Sequence, residues 1–129
     1  MKTMEFLNSY KLYWLRAFKY SGRASRGQYF APWIINIVIL LPFILNLDTP
    51  VSTFSSVMTT YMYAATGWLL INILPSLSLT VRRFHDQDKS GWYILLNFIP
   101  FIGGLIVLYF CLFVDGDYEE NQYGTIISD

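Results

Sequence analysis

Three long runs without an acidic or basic residue constrain this sequence more than any other feature. The first includes residues 29–47, the second covers residues 49–81 with its most apolar part at 57–79, and the third covers residues 90–114. A helix that crosses the hydrocarbon core of a bilayer needs about 20 predominantly apolar residues. None of these runs has the polar face, repeating every 3.6 residues, that a helix of a water-soluble domain requires. The sequence therefore predicts membrane-spanning helices.

The composition agrees with lipid as the main solvent. Hydrophobic residues make up 54% of the 129 residues and charged residues 14%, whereas a soluble domain averages roughly 25% charged residues. A soluble chain of this size exposes a large share of its surface and needs charges to cover it. The single cysteine, Cys111, excludes an intrachain disulfide and a cysteine-rich metal site.

We predict an all-α, polytopic integral membrane helical bundle that forms one domain over residues 1–129. Its three transmembrane helices are predicted at residues 29–47, 57–79 and 91–114. The third contains Pro100 and two adjacent glycines, so a re-entrant hairpin is the alternative to a single span. Irregular backbone at membrane depth is tolerated only where protein covers it. A small three-helix bundle offers little such cover, so the single span is favoured.

The N-terminal residues 3–20 predict an amphipathic helix at the membrane interface. Its apolar side chains fall on one helical face, and these are Leu7, Tyr10, Trp14, Ala17 and Phe18. The same face is equally suited to packing on the spans, and the two arrangements are compatible.

The two ends of the chain carry opposite charge. Residues 1–26 hold six Lys or Arg against one Glu, and residues 115–129 hold five acids and no base. The loop after the second span is also basic, with Arg82, Arg83 and Lys89. By the positive-inside rule the N-terminus and this loop face the cytoplasm. The acidic tail, 115–129, then lies outside if there are three spans and inside if the third run is a hairpin.

Polar and small side chains within the spans are predicted to orient the helices, since close packing and hydrogen bonds replace the hydrophobic effect there. Asparagine occurs within each span, and the residues singled out are Asn36, Asn72 and Asn97. Four-residue spacing in the second span places small side chains on one face, and these are Ser56, Thr60 and Ala64. We expect this face to receive another helix or a second copy of the chain.

Little in the sequence points to catalysis. The spans lack the ionisable groups that proton- or sodium-coupled transport uses, and no spacing typical of metal ligands is present. We therefore predict no catalytic residue, no metal and no cofactor. A lipid-modifying enzyme that uses His85 and Asp86 is a third, less favoured hypothesis.

The polar segments 21–30 and 80–92 face the same side in this topology and are predicted to form one cluster. Its members are Arg23, Arg26, Arg82, Arg83 and Asp86. Arginines at the end of a span lie at the depth of lipid phosphates, which suggests a site for an anionic headgroup or ligand. The alternative is a charge network that fixes the two loops.

Four motifs carry a family resemblance: GRASRGQYF at 22–30, LPSLSLTVRRFHDQDKSGWYILL at 74–96, IPFIGG at 99–104 and NQYG at 121–124. With these in order, the chain resembles the YhaH-type bacterial inner-membrane proteins, grouped as domain of unknown function 805. The resemblance implies a small polytopic membrane protein of the bacterial inner membrane, without an assigned activity, cofactor or substrate.

The functional prediction is a non-enzymatic membrane module whose basic cytoplasmic face binds anionic lipid or a partner protein, in envelope maintenance or stress response. Its expected partners are the bilayer, anionic headgroups, and a second copy or another protein, without nucleic acid. The alternative is a small transporter, channel or export accessory subunit, suggested by the Pro and Gly interruptions of the spans.

Overall fold

A computed structural model of the chain describes residues 3–45 and 51–125. Its helices are α1 (Thr3–Leu15), α2 (Arg26–Ile44), α3 (Val51–His85), a 3-10 helix (Gly91–Phe98) and α4 (Gly103–Leu112). Over these two ranges no β-strand forms, and the predicted all-α fold is confirmed. The end of the first predicted span and the last four residues of the tail lie outside the described residues.

The second helix, α2, begins where a serine caps it. Ser25 Oγ accepts a hydrogen bond from the Gln28 backbone N–H at 3.2 Å, which gives a partner to one of the N–H groups left free in a first helical turn. After Arg26 the 19-residue helix contains no charged side chain. It includes residues 29–44 of the predicted span 29–47.

The longest helix, α3, extends over 35 residues, or roughly 52 Å at 1.5 Å per residue. Within the described residues, Ser56–His85 is the one helix whose length and apolar composition suffice to cross a membrane. It contains the predicted span 57–79, and its last turn carries Arg82, Arg83 and His85. The finer prediction of three transmembrane helices is not confirmed.

The third apolar run does not form the single helix predicted at 91–114. The 3-10 helix ends at Phe98, Phe101 has a positive φ of 71°, and the chain reverses before α4 begins. Pro100 has no N–H to continue a helix. A Cβ atom on Gly103 would lie 1.9 Å from the Leu96 carbonyl oxygen, so only glycine permits this close approach.

The C-terminal end of α4 therefore returns to the end of α3. Gln87 Nε2 donates to the Phe110 carbonyl oxygen at 2.6 Å, and the Asp117 N–H donates to the Asp86 carbonyl oxygen at 2.7 Å. Both arms of this hairpin measure about 15 Å, half of the roughly 30 Å hydrocarbon core. The chain doubles back as in the hairpin alternative, and the tail 115–125 lies at the same end of α3 as the second polar segment. The re-entrant position of the hairpin in a membrane stays a prediction.

The N-terminal segment packs on α2 and α3 through part of the predicted face. Of that face, Ala17 is buried and Tyr10 and Trp14 pack against the core, whereas Leu7 and Phe18 are exposed. Ser9 and Tyr13, which are not part of the predicted face, are also buried. Tyr13 Oη donates to Asn72 Oδ1 at 2.8 Å. A helical face chosen from apolar residues alone does not include this contact, because both partners are polar. Burial raises the pKa of Tyr13 to about 12, so its hydroxyl keeps the proton that it donates.

The predicted packing residues occupy different surroundings. Asn72 is buried against α1, Asn36 lines a cavity between α1, α2 and α3, and Asn97 is exposed. The small-residue face is also exposed, and its members are Ser56, Thr60 and Ala64. Its role as a contact for a second copy stays a prediction.

The hairpin is testable by cross-linking in a Cys111→Ser background. Gln122 Nε2 donates to Asp88 Oδ1 at 3.1 Å, so we expect Asp88→Cys and Gln122→Cys to be joined efficiently by a short bismaleimide in intact membranes. The control pairs Gln122→Cys with Tyr63→Cys, which lies 25 residues before Asp88 on the chain and, along α3, about 33 Å from its end. A single span through 91–114 would instead leave Asp88 and Gln122 on opposite sides and give no product.

Candidate functional site

A buried ion-pair cluster lies just beyond the C-terminal end of α3. Arg23 Nε donates to Asp86 Oδ1 at 2.8 Å, and Arg83 Nη1 donates to the other carboxylate oxygen, Oδ2. The side chains of all three residues are 6% exposed or less. Two guanidinium groups thus share one carboxylate where water is largely excluded, and each must find further acceptors.

Backbone carbonyl groups supply those acceptors. Arg23 donates to the Asp117 and Glu119 carbonyl oxygens at 2.6 and 2.8 Å. Arg83 Nε donates to the Cys111 carbonyl oxygen at 3.0 Å, and its Nη2 donates to that of Val114. The last carbonyls of a helix lack partners within the helix, so Arg83 satisfies the end of α4 while Arg23 holds the tail.

The closing NQYG motif docks on His85. Asn121 Nδ2 donates to the His85 carbonyl oxygen at 2.9 Å, and the Tyr123 ring stacks on the His85 ring with centroids 3.9 Å apart. His85 Nδ1 lies 3.1 Å from the Gly22 carbonyl oxygen. Because a carbonyl oxygen only accepts, Nδ1 carries the hydrogen. The imidazole therefore joins the tail to the loop before α2.

One glycine of the tail is required for this docking. A Cβ atom on Gly116 would lie 1.9 Å from Asp86 Oδ2. That oxygen is held by Arg83 and is not free to move away. The backbone at Gly116 consequently approaches the carboxylate more closely than any other residue type allows.

Two predicted cluster members lie apart from this network. Arg26 forms an exposed ion pair with Asp115 at 2.8 Å. Arg82 is 2% exposed, and its Nε and Nη2 atoms have no hydrogen-bond partner within 3–45 and 51–125. The Arg16 guanidinium lies near enough to repel Arg82 electrostatically.

A family model described as "Protein of unknown function (DUF805)" matches residues 17–125. The chain belongs to this family. It is 37% identical over 112 residues to inner membrane protein YhaI of Escherichia coli strain K12, with 82% of this chain and 83% of YhaI covered. It is 32% identical over 105 residues to inner membrane protein YhaH of the same strain, with 81% and 84% covered. No solved structure matches the chain.

Three of the four motifs that indicated DUF805 meet in the ion-pair cluster and its surroundings, and the remaining one, at 99–104, forms the turn of the hairpin. Arg23 comes from the first motif, Arg83, His85 and Asp86 from the second, and Asn121 and Tyr123 from the last. Sequence reasoning placed Arg23, Arg83 and Asp86 together, as the structure does. It missed the docking of the tail, for which the NQYG motif was the available signal, and it missed Arg16 as the neighbour of Arg82.

In this DUF805 site, the side chains of His85 and Asp86 do not form the pair that the lipid-modifying enzyme hypothesis requires. The Asp86 carboxylate is occupied by two guanidinium groups, and the His85 ring is engaged by Gly22 and Tyr123. Within the described ranges no group of three His, Cys, Asp or Glu side chains is arranged to hold a metal ion. The cluster holds together the loop before α2, the ends of α3 and α4, and the tail.

Removing the shared carboxylate charge tests this structural role. We expect Asp86→Asn to lower the free energy of unfolding by about 3–5 kcal/mol, because two buried guanidinium groups lose their counter-charge. The matched control is Asp115→Asn, which breaks an exposed pair whose contribution is about 0–1 kcal/mol. Thermal unfolding of both purified variants in one detergent measures the difference, and equal midpoints would contradict the assignment.

The glycine contact gives an independent test. We expect Gly116→Ala to lower the thermal midpoint and to weaken docking of the tail, because the added methyl group meets Asp86. Gly67→Ala is the control, since a Cβ atom there meets nothing within 4 Å and alanine is the better helix residue by roughly 1 kcal/mol. Limited proteolysis of the tail, followed by mass spectrometry, reports docking; equal cleavage in both variants would count against the contact.

Proposed function

We propose that this protein is a non-enzymatic module of the bacterial inner membrane that binds the phosphate of an anionic lipid at Arg82 and Arg16. Membership of DUF805 and similarity to YhaI and YhaH, both inner membrane proteins, support the location. The single observation that carries the proposal is the unpartnered guanidinium edge of Arg82.

That edge has the chemistry of a phosphate site. Nε–H and Nη2–H lie on the same side of the planar guanidinium and match two oxygens of a phosphate in a bidentate pair. A buried charge without a partner is costly. Both atoms are covered by their neighbours in this structure, so a phosphate reaches them only when those neighbours move aside. An anion that then supplies both missing acceptors stabilises this residue more than it would a solvated arginine.

The other predicted ligand residues are already occupied. Arg23 and Arg83 are neutralised by Asp86 and by carbonyl groups, and Arg26 has Asp115. Arg82 differs because its neighbour Arg16 is a second cation. The lipid-binding interpretation thus applies to Arg82, and the structural interpretation applies to Arg23, Arg83 and Asp86.

The fold supplies a frame for two cations in this place. Ser78 Oγ lies 2.7 Å from the Arg16 carbonyl oxygen and 2.6 Å from that of Lys19, and Ser78 is one helical turn before Arg82. These contacts tie the end of α1 to the end of α3. If the basic segments face the cytoplasm, as the positive-inside rule predicts, the pair lies at the phosphates of the inner leaflet.

Replacement of Arg82 tests the proposal. We expect Arg82→Gln to reduce retention of phosphatidylglycerol by about tenfold or more, because a charge-assisted bidentate pair contributes at least that factor. Full-length protein is reconstituted with phosphatidylglycerol and phosphatidylcholine, extracted in detergent, and its retained lipid is counted by native mass spectrometry. Arg26→Gln removes the same charge from an exposed position and is expected to retain lipid as the wild type does.

Stability separates loss of lipid from loss of fold. Because Arg82 is buried without a partner, lipid-free Arg82→Gln is expected to unfold at the temperature of the lipid-free wild type or above it. Equal retention of phosphatidylglycerol by Arg82→Gln and Arg26→Gln would overturn the proposed site.

A further inference from the structure

A cavity of about 260 Å³ lies between α1, α2 and α3. Its walls include Pro32, Trp33, Ile37, Leu69, Ile73 and Leu79. Two polar atoms beneath the walls, Asn36 Oδ1 and Trp68 Nε1, are covered by their neighbours. The surface offered to an occupant is therefore mainly apolar.

The cavity runs along the helices toward the cationic pair. It touches α3 from Trp68 to Leu79, a length of about 16 Å, which is half the roughly 30 Å hydrocarbon core and thus the depth of one leaflet. Leu79 is the last residue of α3 in its lining, which includes neither Arg82 nor Arg16. Arg82 follows Leu79 by three residues, about 4.5 Å along the helix, and Arg16 lies near Arg82.

The apolar channel has the depth of one leaflet and stops less than one helical turn before Arg82. Within the described residues no ion pair joins Arg82 or Arg16 to a carboxylate. An acyl chain followed by a phosphate matches this sequence of an apolar wall and a cation. A free phosphate or a soluble polyanion would use only the cationic end. A neutral lipid would fill the channel and leave the Arg82 edge without acceptors.

We infer that this groove holds one acyl chain of the anionic phospholipid whose phosphate binds Arg82. The inference rests on the proposed function and names its ligand class, a phosphate-bearing diacyl lipid that is held by head and chain together. Tyr13 and Asn72 both line the groove, so lipid bound in this way packs against the hydrogen bond that joins α1 to α3.

Two adjacent residues of α3 provide a matched pair of variants. Ile73 lines the groove and Leu74 does not, although their exposed fractions are nearly equal at 46% and 44%. Ile73→Trp places an indole ring in the path of the chain, whereas Leu74→Trp adds the same ring on the surface beside it.

The full-length variants are reconstituted with 1-palmitoyl-2-oleoyl phosphatidylglycerol in phosphatidylcholine, and retained lipid is counted by native mass spectrometry. We expect Ile73→Trp to retain about tenfold less phosphatidylglycerol, because an overfilled site has a penalty of that order. Leu74→Trp is expected to match the wild type. Glycerol phosphate, which has the head without chains, is expected to compete weakly.

Ser76→Leu narrows the same groove with a side chain that is smaller than tryptophan. This variant provides the test if Ile73→Trp does not fold. Unchanged retention in both groove variants, with loss in Arg82→Gln, would overturn the groove and leave the phosphate site intact. Loss in the groove variants with unchanged retention in Arg82→Gln would overturn the phosphate site, and with it the anionic identity of the ligand. Strong competition by glycerol phosphate would also overturn the role of the chain.

Discussion

One carboxylate between two buried guanidinium groups holds the polar end of this molecule together. Asp86 receives Arg23 from the loop before α2 and Arg83 from the last turn of α3. One negative charge cannot satisfy two cations, so the remaining N–H groups reach carbonyl oxygens of α4 and the tail. The excess of donors is what recruits the C-terminal segment, because buried donors without acceptors are costly.

This arrangement also explains how a short hairpin can close the bundle. The 3-10 helix and α4 are each too short to cross a bilayer, and the turn at Pro100 sends the chain back. The returning end is fixed because Arg83 donates hydrogen bonds to the Cys111 and Val114 carbonyl oxygens. The tail binds mainly through its backbone, which leaves the acidic side chains of Glu119 and Glu120 exposed.

The arginines of the two polar segments have different roles. Arg23 and Arg83 form the buried ion pairs that stabilise the fold, and Arg26 forms an ion pair at the surface. Arg82 adjoins Arg83 in sequence, yet it points to another environment, since neighbouring residues of a helix lie about 100° apart around its axis. That difference is the basis for assigning lipid phosphate to Arg82 and a structural role to the network around Asp86.

The sequence by itself determined the helical class, the apolar segments and the membership of DUF805, because hydropathy and motif order are properties of short stretches. It also brought Arg23, Arg83 and Asp86 into one cluster. Only the tertiary structure decided that residues 91–112 form a hairpin and that Arg82 is left without an acceptor. Both depend on contacts between segments far apart in the chain, such as Asp117 with Asp86, which no local pattern encodes.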